Sequence, residues 1–147
     1  PKWPVFIPAD MPFEIGKAQV LSEGTDVTLI ACGHLVWKAL EAAAELEKQG
    51  IHAEVINMLT IKPLDEEAVL ASVGKTGCVV TCEEHNRYGG LGEAVAQVLT
   101  THHGVPQEFV AVNDSFGESG PPEELLKKYG LDTPDVVAAA RRAIKRK

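Results

Sequence analysis

Three features of the sequence predict an α/β fold, a largely parallel sheet with helices on both faces. Short apolar runs rich in β-branched residues alternate with longer segments of helical period, strand then helix, along the whole chain. The runs are mostly apolar rather than strictly alternating, which suits strands covered on both sides. Glycines close helical segments at Gly50 and Gly130.

Taken in order, residues 1–12 carry Pro1, Pro4, Pro8 and Pro12 and cannot form a regular helix. The chain opens on Pro1, and residues 1–12 read as a linker from a missing upstream domain, with the folded domain at 13–147. A short strand is expected at Lys17–Leu21, then a turn at Glu23-Gly24-Thr25. That turn would make the first two strands antiparallel if they pair. Val27–Cys32 is the next strand. Val36, Ala39, Leu40, Ala43 and Leu46 then share one face of a helix over 34–49. Ala53–Leu59 reads as a strand, Ile61-Lys62-Pro63 as its end, and Asp65–Val73 as a helix. Cys78–Cys82 is the third buried strand. Leu91, Ala94, Val95, Val98 and Leu99 mark a helix, and Phe109–Val112 the last strand. Two helices finish the chain, one with Pro122 in its first turn, the other capped by Thr133 with Pro134 at the first position.

Apolar residues make up 45% of the 147, so the composition is globular. No run reaches the roughly eighteen apolar residues of a membrane helix. The net charge is −7, and five basic groups lie in residues 141–147. The remaining 9 basic and 21 acidic groups leave −12 on the body, which repels a phosphate backbone. Neither nucleic acid nor membrane is an expected partner. Cys32, Cys78 and Cys82 have no framework spacing, which points to a reducing compartment, the cytoplasm. Cys78 and Cys82 fall four apart on one strand, hence on one face, and read as buried, reduced core residues.

In open α/β sheets ligands bind beyond the carboxyl ends of the strands. The most polar of these ends runs from Glu83 to Gly92. Gly89, Gly90 and Gly92 could cradle phosphate, but Glu83, Glu84 and Glu93 would oppose it. They read instead as a tight turn with close helix–sheet packing. Glu83 and Glu84, neighbours on a strand, point apart, so one is expected to cap N–H groups of the glycine turn. Cys32 with His34 and Cys82 with His85 would make a thiolate–imidazole or zinc site only if their strand ends adjoin. Adjacent imidazoles at His102-His103 diverge by about 100° on a helix and suit a solvated helix end. Trp37 stands about 120° from the centre of its helix's apolar face. It reads either as an interface residue or as cover for the N-terminal arm.

In this order the segments resemble a known family. They are Phe13–Ala18, Asp26–Ile30 with Gly33, Ala39–Ala43, Ile61–Asp65, Glu83-Glu84-His85 with Gly89–Val95, and Ser119-Gly120 with Pro122–Leu126 and Tyr129–Leu131. The set is similar to the C-terminal domain of transketolases, above all the split kind. Related thiamine-diphosphate enzymes, deoxyxylulose-phosphate synthase and the 2-oxoacid dehydrogenase E1 β subunit, end in the same domain. The stretch Val112-Asn113 and Phe116–Gly120 favours transketolase. A free-standing module binding a nucleotide or effector is the rival of another class.

The resemblance implies a three-layer α/β/α domain with a five-stranded mixed, mostly parallel sheet, the first strand antiparallel. It implies an enzyme of the pentose phosphate pathway that transfers two-carbon ketol units between sugar phosphates. This domain would be its non-catalytic assembly part, in a dimer with other transketolase domains or subunits. Thiamine diphosphate and Mg (or Ca) would lie in the missing domains, with no cofactor, metal or catalytic residue here. Glu83, His85, Gly89, Gly90 and Gly92 match signature positions, with a structural or interface role. Glu84, Arg87, Tyr88 and Trp37 complete the candidate structural and interface residues, and His85, Arg87 and Tyr88 are expected to be exposed contacts.

Overall fold

In the computed structural model, residue 5 and residues 7–147 are described. The elements run β1 (Gln19–Ser22), β2 (Val27–Ala31), α1 (Leu35–Glu47), β3 (Ala53–Asn57), α2 (Glu66–Thr76), β4 (Val79–Asn86), α3 (Leu91–Thr101), β5 (Gln107–Val112), α4 (Pro122–Lys128) and α5 (Thr133–Ile144). The five strands form one sheet in the order β1-β3-β2-β4-β5. β2, β3, β4 and β5 are parallel, and β1 is antiparallel to β3.

Each run reads as apolar because it feeds two cores. Leu29, Ala31, Val55, Cys78, Val80 and Cys82 face α1 and α5. Ile30, Ile56 and Val79 face α2 and α3 on the other side. Three layers result, α/β/α. Cys78 and Cys82 lie in the same core, both buried, as their spacing predicts.

Three details differ from the sequence expectation. β1 pairs with β3, not with β2, although a short turn joins it to β2. β4 does not stop at Cys82 but runs on to Asn86, opposite Val112, past an irregularity in its pairing. The last helix is capped by Asp132, not Thr133. The Asp132 carboxylate accepts from Thr133 N–H at 2.9 Å, and Asp132 N–H donates to the Asp135 carboxylate at 3.0 Å.

Asp132 also meets the Lys38 ammonium at 2.8 Å, tying α5 to α1. Burial alone would raise its carboxyl pKa, but the bonds from Lys38 and from Thr133 N–H outweigh that and hold it below the usual range. A carboxyl depressed in the folded state stabilises the fold above its unfolded pKa, near 4, and loses that contribution as pH falls through the folded value. Asp132→Asn keeps a cap but removes the charge. It should cost about 1 kcal/mol at pH 7, with the gap to the unaltered chain closing as pH falls through the depressed carboxyl pKa of the folded state. Urea unfolding across this range measures it; a constant gap would contradict it.

Candidate functional site at the carboxyl ends of the strands

β2 and β4 are neighbours in the sheet, but α1 after β2 and α3 after β4 lie on opposite faces. The chain therefore diverges between their carboxyl ends, where such sheets open a crevice. The crevice is a cleft of about 340 Å³ lined by Cys32, Gly33, His34, Ile61, Glu83, Glu84, His85, Gly89 and Gly90. The two Cys/His strand ends do adjoin.

Glu83 is buried, and both its oxygens are taken. Oε2 accepts from Leu91 N–H at 2.7 Å and Oε1 from Gly92 N–H at 2.9 Å. These N–H groups open α3 and have no partner within the helix. A carboxylate there also meets the positive end of the helix dipole. Glu84, the next residue, points the other way and bonds His34 Nδ1 at 2.8 Å. The opposed orientation of the two glutamates follows from the strand period.

The glycines pack as expected. Gly89 has φ +77°, a left-handed conformation. A Cβ on Gly90 would stand 2.1 Å from Glu83 Oε2, and one on Gly92 would stand 2.5 Å from the Phe109 ring. Gly89 N–H donates to Glu93 Oε2 at 2.8 Å.

This geometry does not fit a diphosphate. The donors that would cradle it are satisfied by Glu83 and Glu93, and Glu84 adds a further negative charge to the cleft. Nor does it make a thiolate nucleophile. Burial, then the charges of Glu83 and Glu84, push the Cys32 thiol up to about 11. Burial likewise raises the Cys82 thiol. Both stay protonated at neutral pH. Among the described residues no group of three or more His, Cys, Asp or Glu side chains is placed to hold a metal ion.

The remaining candidates divide. His85 and Tyr88 are exposed. Arg87 is only half so, because its guanidinium lies over the Phe109 ring at 5.6 Å and the Tyr88 ring at 5.7 Å. It also donates to Asn113 Oδ1 at 3.3 Å. Trp37 is half-buried on α1 and does not line the cleft. His102 bonds Thr101 Oγ1 and the Val98 carbonyl at the end of α3, as a helix end suits. It borders a second groove, of about 490 Å³, between residues 61–66 and α3, whose Lys62, Glu66 and Glu93 are of mixed sign. Phe116, fully exposed, is absent from the sequence-derived set. Phe116 opens the Phe116–Gly120 stretch of the family resemblance, and its signal as a contact is a large apolar side chain amid Asp, Ser, Gly and Glu.

A family model described as transketolase, C-terminal domain, matches residues 16–136. The chain belongs to that family. Similar transketolase C-terminal domains occur within longer polypeptides. One is the 6-deoxy-6-sulfo-D-fructose transketolase subunit SqwH of Clostridium sp. (strain MSTE9), 50% identical over 135 residues, 92% of this chain and 42% of that protein. Another is an apulose-4-phosphate transketolase polypeptide of Phocaeicola vulgatus, 38% identical over 93% of this chain and 44% of the relative. The domain also resembles part of the 1-deoxy-D-xylulose-5-phosphate synthase 1 of Geobacter sulfurreducens, 42% identical over 85% of this chain and 20% of the enzyme. A solved split-gene transketolase, described as an inactive β4 tetramer, superimposes with a TM-score of 0.95 at 50% identity. The match covers 98% of this chain and 47% of the solved one. The chain thus spans less than half the length of the transketolase polypeptides it matches.

Proposed function

We propose that this transketolase C-terminal domain is the non-catalytic assembly part of a longer, thiamine-diphosphate-dependent transketolase. The whole enzyme would move two-carbon ketol units between sugar phosphates, in the cytoplasm and within the pentose phosphate pathway. Residues 1–12 would link the domain to the one before it. Thiamine diphosphate and its Mg or Ca ion would be held by other domains. One observation carries the non-catalytic role. The N–H donors at the start of α3, the natural anion site of this cleft, are closed by the chain's own Glu83. Glu83 and the three glycines would then serve shape, and His85, Arg87, Tyr88 and Trp37 contact with neighbouring domains or subunits. The solved relative is described as a tetramer of its β chains, larger than the dimer expected from the resemblance.

Calorimetric titration of the 147-residue chain with thiamine diphosphate and Mg should give no saturable heat. Saturable binding in the micromolar range would overturn the reading.

A further inference from the structure

Exposed apolar side chains are unevenly placed on this domain. Beside Val5 in the N-terminal arm and Val20 on the edge strand β1, the exposed large hydrophobic side chains of the described residues are Phe13, Ile15, Ile61, Tyr88 and Phe116, Phe116 completely. These five lie at the carboxyl end of the parallel strands. Ile61 follows β3, Tyr88 follows β4 and Phe116 follows β5. Phe13 and Ile15 precede β1, whose first residue Gln19 pairs with Asn57 at the end of β3. Gly16 N–H bonds Thr60 Oγ1 there at 3.0 Å. At the opposite end, residues 23–26, 48–52, 77–78 and 102–106 expose no large hydrophobic side chain among the described residues. Apolar exposure gathered at one end marks a contact surface.

Two of the three aromatic residues, Tyr88 and Phe116, sit on loops that are held. Arg87 N–H donates to the Val112 carbonyl at 3.0 Å, and Asn86 Nδ2 to Asp114 Oδ1 at 3.2 Å, lacing one loop to the other. Tyr88 N–H donates to Asn86 Oδ1 at 3.0 Å. The Tyr129 hydroxyl donates to the Phe116 carbonyl at 3.0 Å. Tyrosine and phenylalanine on pre-set loops bind with little further ordering, as interface anchors do.

We infer that this end of the sheet is the seat of the domain that precedes it in the longer polypeptide, with Tyr88 and Phe116 as aromatic anchors. The inference rests on the reading that the chain is the C-terminal part of such a polypeptide. The direction of β1 selects the occupant. Because β1 runs against the other strands, the chain enters the domain at this same end, over Thr60 and Pro63. A body joined ahead of Phe13 is therefore tethered beside the apolar face, at high effective concentration. A second copy of the chain has no such tether.

Hydroxyl-radical footprinting of the parent polypeptide and of the 147-residue chain tests this. The short chain closes two cores of its own and serves as the unseated reference. Labelling of Tyr88 and Phe116 should fall at least roughly fivefold in the parent, at all protein concentrations, as burial of interface anchors requires. His52, exposed ahead of β3 at the opposite end of the sheet, should label equally in both. Phe116→Asp in the parent should restore Tyr88 labelling to the level of the short chain. Unchanged labelling of the two aromatics would overturn the inference, as would Tyr88 protection that survives Phe116→Asp. Protection that vanishes on dilution would overturn it too, in favour of a second copy. None of these readouts involves cofactor or ketol transfer, so a seated but inactive parent would defeat the proposed function alone.

Discussion

Gly24→Ala should lower the stability of the chain by about 3 kcal/mol, among the largest effects of any single methyl group added to it. A Cβ at Gly24 would stand 2.3 Å from both the Ala53 carbonyl carbon and the Glu54 nitrogen, and 2.6 Å from the His52 oxygen. All three atoms are backbone, so no side chain can swing aside. Nor can the segments separate cheaply. Thr25 and Asp26 N–H both donate to the His52 carbonyl, at 3.0 and 2.9 Å, and His52 N–H returns to Asp26 Oδ2 at 2.7 Å. Relief of the clash would break bonds that start both β2 and β3. The melting temperature should fall by about 10 °C, given a few degrees per kcal/mol for a domain of this size. Gly104→Ala is the control. Its Cβ would meet nothing within 4 Å, and its backbone is not left-handed. It should change the midpoint by less than about 1 °C, since a surface change with no packing consequence is nearly neutral. Equal midpoints for the two variants would refute the close-approach account.

Gly24 also explains what the sequence did not disclose. Glu23-Gly24-Thr25 has the composition of a hairpin turn, and the local signal joins β1 to β2. The glycine serves instead a crossing of the turn against residues 52–54, which depends on contacts nearly thirty residues away. Long-range pairing of an edge strand has no local signature. The central strands do have one, because burial on both faces demands mostly apolar runs without strict alternation, and β2 and β3 were legible for that reason despite Thr28, Glu54 and Asn57. The carboxyl half of β4 was not, since Glu83, Glu84, His85 and Asn86 are polar and carry no apolar run. At the candidate site, strand alternation sufficed to divide Glu83 from Glu84 and to assign one of them to the glycine turn. Which one it was depends on the side of the sheet that α3 takes. The exposure of Phe116 follows from the path of an irregular loop, for which hydrophobic periodicity has no rule.

Glu83→Ala is expected to cost about 4 kcal/mol, the combined effect of two buried N–H groups left without acceptors and a cavity beneath α3. Leu91 and Gly92 N–H lie at the start of a helix whose Leu91, Val95 and Leu99 fill the core on that face, so water has little access to replace the carboxylate. Glu83→Gln should cost about half as much, because one amide oxygen still accepts while the amide NH2 faces a second donor. The partner in this arrangement is Gly90. Its φ of −113° is open to any residue, so Gly90→Ala carries no left-handed strain. Its cost is the 2.1 Å approach of a methyl to Glu83 Oε2, which would push the carboxylate off both N–H groups. The two substitutions therefore damage the same pair of bonds. In the unaltered chain Gly90→Ala should cost about 2–3 kcal/mol, and in the Glu83→Ala background less than about 1 kcal/mol. Chemical denaturation of the four chains of this cycle measures the coupling. If the two costs simply add, Gly90 is not there to leave room for the Glu83 carboxylate, and the glycine turn owes its shape to something else.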